Sequence, residues 1–142
     1  MNNQAEIIFP ALTQNETFAR AVVAAFASQL NPTIEQLSDL RTAVSEAVTN
    51  AIIHGYEQDS SQFVKIRCII EGNLLKIIVR DDGCGIPDID LARKPFYTSK
   101  PELERSGMGF AVMEAFMDQV TVTSAPGEGT TVTMGKRISH GE

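Results

Sequence analysis

The chain has 142 residues, of which 43% are hydrophobic and 21% charged, and its formal net charge is −6 at pH 7. That length suits one domain with a single core. The acidic balance, without any Lys/Arg run, argues against a generic nucleic-acid binder. No apolar run approaches the roughly 20 residues that cross a bilayer. Nor does a charged start lead into an apolar stretch as in a signal peptide, so the cytoplasm is the expected compartment. Cys68 and Cys84 lack metal-ligand spacing with each other or with His54 and His140, and both read as small buried residues.

Residues 5–12 read as a short strand, with Pro10 suited to an edge. Thr13 and Glu16 have capping-box spacing and open a helix to about Leu30. Its apolar stripe is Phe18, Val22, Ala25, Phe26 and Leu30, with Arg20 pointing outward. A longer helix spans residues 33–56. Pro32 blocks backward extension, Thr33 and Gln36 form a second capping box, and Gly55 can close it in the left-handed conformation. Ile34, Leu37, Leu40, Val44, Ala47, Val48, Ala51 and Ile52 make its apolar stripe. Glu46 and Asn50 fall together on the other side, among Asp39, Thr42, Ala43, Thr49, Ile53 and His54. That side is polar but poor in charge, which suits a pocket wall better than an open surface. A carboxylate and a carboxamide four residues apart can serve a proton and a hard cation respectively. Taken alone, the pair fits a plain surface Glu above a surface Asn equally well.

Two strands follow, FVKIRCII and LLKIIVRD, joined as a hairpin at Glu71-Gly72-Asn73. In the second, Leu75, Ile77 and Val79 alternate onto one face, and Asp81 shares their parity. The pattern therefore aims a carboxylate at the buried side, where it needs a partner. Asp82 faces the other way. In DDGCGIPD, Gly83 and Gly85 permit close backbone approach or positive φ. Residues 86–106 look irregular, and a connection of that length is usually functional or disordered. Ser106-Gly107-Met108-Gly109 leads into a helix to about Asp118, and a hairpin turning at APGEG ends the chain. The order implies a two-layer α+β sandwich, with helices on one face of a mixed, mainly antiparallel sheet.

Free N–H groups at a glycine-opened helix start make a natural phosphate site. A P-loop and the protein-kinase signatures are absent, and Gly107-x-Gly109 lacks the third glycine and preceding strand of a dinucleotide fingerprint. What stands instead is E-x-x-x-N on a helix (Glu46, Asn50) and D-x-G-x-G after a strand (Asp81, Gly83, Gly85). Then come a variable segment, G-x-G at a helix start (Gly107, Gly109), and Gly129-Thr130 opening a late strand. In this order the motifs resemble the ATP-binding fold shared by DNA gyrase, the large heat-shock chaperones, mismatch-repair ATPases and histidine kinases, the GHKL superfamily. Over roughly residues 6–135, with SEAVTNAIIHGY and TSKPELERSGMGF most distinctive, the chain is similar to the anti-sigma serine kinases of endospore-forming bacteria.

The resemblance implies one histidine-kinase-like ATPase domain over residues 1–142, core about 6–137, with a mobile ATP lid at about 86–106. It implies that Asp81 accepts a hydrogen bond from the adenine amino group beside Thr130, and that Asn50 holds Mg²⁺. Glu46 would be the general base, while Gly83, Gly85, Gly107 and Gly109 let the backbone approach the nucleotide. Arg105 is the candidate γ-phosphate contact, against a solvent-exposed lid Arg. Arg20 is a candidate partner contact, against a plain surface Arg. The implied function is an anti-sigma factor and Mg·ATP-dependent protein serine kinase. It would bind a sporulation sigma factor of the sigma F type, phosphorylate an anti-anti-sigma antagonist on serine, and form a homodimer. The alternatives are an anti-sigma B-type kinase, a detached histidine-kinase ATPase module, or a nucleotide-dependent binder without turnover. No helical segment with a phosphoacceptor histidine is visible for the second of these, and binding alone needs no base at Glu46.

Overall fold

The computed structural model describes residues 1–94 and 109–139. Alternating burial builds the sheet. Its strands are β1 (Asn2–Pro10), β2 (Phe63–Glu71), β3 (Leu74–Asp81), β4 (Gln119–Ser124) and β5 (Thr130–Arg137). They lie in the order β1-β2-β3-β5-β4. Every ladder among them is antiparallel, because the β4–β5 hairpin slots β5 beside β3 with its direction reversed. Val64, Ile66, Cys68 and Ile70 on β2, with Leu75, Ile77 and Val79 on β3, give the buried face.

Against that face pack α1 (Asn15–Ala27), α2 (Ile34–Thr49) and α4 (Gly109–Phe116), with α2 in the middle touching both other helices. A one-turn helix, α3 (Ile89–Ala92), sits in the stretch expected to be irregular, its N-terminus capped by Asp88 Oδ1 accepting from Leu91 N at 3.0 Å. Fully buried Leu40, Ile52, Ile66, Ile70, Leu75 and Ile77 anchor the core; each such side chain contributes about 1.5–3 kcal/mol. Lys136 shares the inward parity of Val132 and Met134. Its Nζ donates to Phe116 O at 2.6 Å, placing a cation on the carbonyl end of α4.

Several local expectations change. The Thr13–Glu16 capping box does not form; Gln14 is the N-cap of α1 and makes no side-chain cap. The buried stripe of α1 is Ala19, Val23 and Ala27, while Phe18 stays half-exposed and meets Phe9 edge to face. Small residues win because α1 packs closely on α2, where Ala43 and Ala47 are also buried. At the start of α2 the expected box is complete: Gln36 N donates to Thr33 Oγ1 at 3.1 Å, and Thr33 N to Gln36 Oε1 at 3.0 Å. Ile34, assigned to the stripe, is 91% exposed.

The far end of α2 differs most. From Asn50 to Gly55 the helix widens to π spacing, and Tyr56 N donates back five residues to Ala51 O at 3.0 Å. The wider turn buries Ile53 along with Ala51 and Ile52. Gly55 has no positive φ; the left-handed residues are Glu57 and Gln58. Of the cysteines, Cys68 is buried and its thiol is pushed up to about 11 by desolvation, whereas Cys84 is exposed.

The cap at Thr33 can be tested alone. Thr33→Ala should cost about 1 kcal/mol of stability, read as a lower urea midpoint at unchanged slope. An unchanged midpoint would mean that the helix start is held by other contacts.

Candidate functional site

The alternation of β3 carries Asp81 to the inner face at the strand's last position, where it is buried. Its Oδ1 accepts from Gly83 N at 2.9 Å. Asp82 faces out, as its parity requires, and pairs with Arg80 at 3.2 Å. Burial raises the Asp81 carboxyl to about 6, against the lowering effect of the backbone N–H groups of Gly83 and Thr130. Thr130 lies directly across the β3–β5 ladder, its Oγ1 2.9 Å from Ser124 Oγ. Ser124 accepts from Ile86 N and donates to Gly129 O, both at 2.8 Å, so one hydroxyl joins the glycine loop to the β4–β5 turn.

Four glycines are required here by contact: Gly55, Gly83, Gly85 and Gly129. A Cβ on Gly55 would lie 2.6 Å from the Asp81 carboxylate, and one on Gly83 only 2.0 Å from Gly55 O. Both distances are impossible for a side chain, so the end of α2 and the loop after β3 close directly on the acid. Gly85 and Gly129 add positive φ at 79° and 78° where two further turns meet this loop.

Above the carboxylate opens a cavity of about 430 Å³, within the ~300–1,000 Å³ usual for small-molecule sites. Its walls are mostly apolar, with Ala51, Val79, Ile86, Phe110 and Val132 around Asp81. Of the residues singled out from sequence, Asn50, Asp81, Gly85, Gly109 and Thr130 line it. Gly83 sits behind the carboxylate. Glu46, one helical turn before Asn50, is half-buried and outside the lining formed by the described residues. Arg105 and Gly107 lie outside the described residues. Arg20 is elsewhere. It borders a second cavity of about 300 Å³ with Leu37 and Arg41, lies 3.8 Å from Glu16, and has an Nε closed off from solvent rather than pointing outward.

Sequence reasoning missed Gly55 as a contact residue, having assigned it to helix closure. It also missed Tyr56, Ser124 and Phe110, whose side chains reach the site. Gly55, Tyr56 and Phe110 carried a signal, since they lie in the distinctive segments SEAVTNAIIHGY and TSKPELERSGMGF; Ser124 depends on packing. Among the described residues, no group of three or more His, Cys, Asp or Glu could hold a metal ion. A divalent cation here would rely on an amide such as Asn50 Oδ1 together with ligand oxygens.

The arrangement accepts a flat, apolar ligand with a hydrogen-bond donor on its buried edge. It also has a cost that pH can expose. Asp81 titrates near 6 in the folded chain and near 3.8 when unfolded, so folding favours its protonated form. Stability linked to this group is complete below about pH 3.8 and is lost as pH rises through 6, by at most about 3 kcal/mol. Asp81→Asn keeps an acceptor for Gly83 without the charge. The ligand-free variant should therefore melt above wild type at about pH 8, with the gap closing as pH falls toward 4. A variant melting below wild type at pH 8 would overturn this account.

The family model described as the histidine kinase-like ATPase domain matches residues 9–136. An anti-sigma F factor of Anoxybacillus flavithermus is 55% identical over 139 residues, covering 98% of this chain and 95% of that protein. One of Oceanobacillus iheyensis is 52% identical with the same coverage. Among solved structures, the RsbU and RsbW domains of Rv1364c from Mycobacterium tuberculosis superpose with a TM-score of 0.69 at 21% identity. That match takes in 97% of this chain and 32% of the other, and is a likeness of fold. The chain belongs to the histidine kinase-like ATPase family and, within it, to the group of the anti-sigma F factors.

Proposed function

We propose that the chain is an anti-sigma factor that binds Mg·ATP in the 430 Å³ cavity and transfers its γ-phosphoryl group to a serine of an antagonist protein. The observation that carries the nucleotide reading is the buried Asp81 carboxylate, an acceptor at the base of an apolar cavity beside Thr130. An adenine ring fits such walls, and its exocyclic amino group is a donor of the right kind for Asp81. The names of the relatives support a sigma F-type sigma factor as one partner, and an anti-anti-sigma protein as the serine substrate follows from the family resemblance.

In this reading Asn50 Oδ1 holds Mg²⁺, which when bound neutralises charge on the phosphates. Glu46 accepts the proton of the attacking serine hydroxyl as its oxygen bonds to the γ-phosphorus and ADP departs. Arg105 supplies charge to the γ-phosphate, Gly107 and Gly109 let the backbone approach the phosphates, and residues 86–106 form the lid. Arg20 meets a protein partner; Arg41 and the fully exposed Ile34 beside it give that contact both charge and apolar area. The chain acts as a homodimer in the cytoplasm. Among the described residues, no helix is long and apolar enough to cross a membrane.

One observation favours a second reading, a nucleotide-dependent binder without turnover: Glu46 stands outside the lining formed by the described residues. Glu46→Gln separates the two. If Glu46 is the base, antagonist phosphorylation should fall by roughly 10²-fold or more, while ATP affinity and sigma capture persist. Undiminished phosphorylation would remove Glu46 from the chemistry. Asn50→Ala should suppress transfer by removing the protein's direct hold on Mg²⁺, and Asp81→Asn should lose ATP affinity even where the fold gains stability. Calorimetry and phosphate transfer measured on the same preparations distinguish these losses.

A further inference from the structure

The β2–β3 ladder runs from Glu71↔Leu74 to Lys65↔Arg80 and there ends. Continued by two residues, the register would set Phe63 opposite Asp82. Instead a side chain stands between them. Tyr56 Oη donates to Phe63 O at 2.8 Å and accepts from Asp82 N at 2.5 Å. The hydroxyl thus bridges two backbone groups that the sheet would otherwise pair, and its only hydrogen is used in doing so. The ring is buried, and its own N–H closes the π turn on Ala51 O.

This wedge has a consequence for the residue between the two strand ends. Asp81 is released from β2 and pairs only with Thr130 of β5, while the peptide that follows it is pinned from the other side by Tyr56. Fixing Asp82 N fixes the direction in which the Asp81 side chain leaves the backbone. It also ties that carboxylate to the helix that carries Asn50, because Tyr56 ends the π turn that Asn50 begins. We propose that Tyr56 is a positioning residue for base selection: its hydroxyl aims the Asp81 carboxylate so that the site accepts a purine with an amino group at C6 and rejects one with a carbonyl there. The inference rests on the reading of Asp81 as the adenine acceptor.

Loss of the hydroxyl leaves the Phe63 carbonyl and Asp82 N–H without their shared partner, so the strand end can shift and the carboxylate with it. A site that reads a donor by a fixed acceptor discriminates strongly only while that acceptor stays in place. Tyr56→Phe should therefore weaken ATP binding by about tenfold and inosine triphosphate binding by less than about twofold. Calorimetric titration of both nucleotides on one preparation gives the ratio of their dissociation constants, which does not depend on the fraction of active protein. Asp82→Ala keeps the backbone N–H and should leave the ratio at the wild-type value. Should Tyr56→Phe fail to fold, Asp82→Pro deletes the same N–H with the tyrosine in place and carries the same expectation. If both affinities fall together, or neither changes, Tyr56 is a packing residue and the proposal is overturned. If wild type itself does not prefer ATP over inosine triphosphate, the adenine reading of Asp81 fails, and this inference with it.

Discussion

A carboxylate pressed against bare backbone organises this structure. Asp81 reaches the inner face of the sheet because it has the parity of Leu75, Ile77 and Val79, and the inner face is the core. Burying a charge there is costly unless the group is hydrogen-bonded. The chain supplies Gly83 N at 2.9 Å and the backbone of Thr130; Arg80, the nearest cation in sequence, pairs outward with Asp82, and the buried Lys136 is engaged by Phe116 O. The remaining acceptor capacity opens on the cavity. Everything nearby accommodates this one group. Gly55 lacks a side chain because the Asp81 carboxylate occupies that space, and Gly83 because the Gly55 backbone does.

The second organising element is the change of pitch in α2. A regular helix held by a complete capping box at Thr33 would carry its polar side straight on past Asn50. The π turn instead draws Ile53 into the core and sets Gly55 beneath Asp81, while Asn50 remains on the cavity wall. Wide helical turns cost backbone geometry and are found mostly at functional sites. Here the turn is held by Tyr56, whose amide closes it and whose hydroxyl reaches the end of β3. The wall residue and the floor residue of the cavity are thereby linked through one side chain.

The walls draw on several segments besides the end of α2. Phe110 comes from α4, Ile86 from the glycine loop, and Val132 from β5. Ser124 joins the last two through its bonds to Ile86 N and Gly129 O. Lys136 fastens α4 over the sheet through Phe116 O. A cavity assembled this way has mostly apolar sides around the Asp81 carboxylate, which is the arrangement expected of a site that reads a flat ring by its edge.

The sequence by itself determined whatever depends on near neighbours. Strand alternation placed Asp81 inward and Asp82 outward; the Gly72-Asn73 hairpin, the Thr33–Gln36 box and the two-layer class follow from spacings of two, three and four residues. The motif order also singled out Asn50, Asp81, Gly85, Gly109 and Thr130, which the fold gathers around one cavity. Tertiary structure decided the rest. The stripe of α1 turned toward Ala19 and Val23 because helix packing rewards small residues over the larger Phe18, which no local pattern expresses. Gly55 proved to be a contact for a carboxylate 26 positions later, and Tyr56 a bridge between strand ends that its own helix never touches in sequence. Periodicity encodes which face a residue takes; how closely two distant backbones approach is settled only when the layers close.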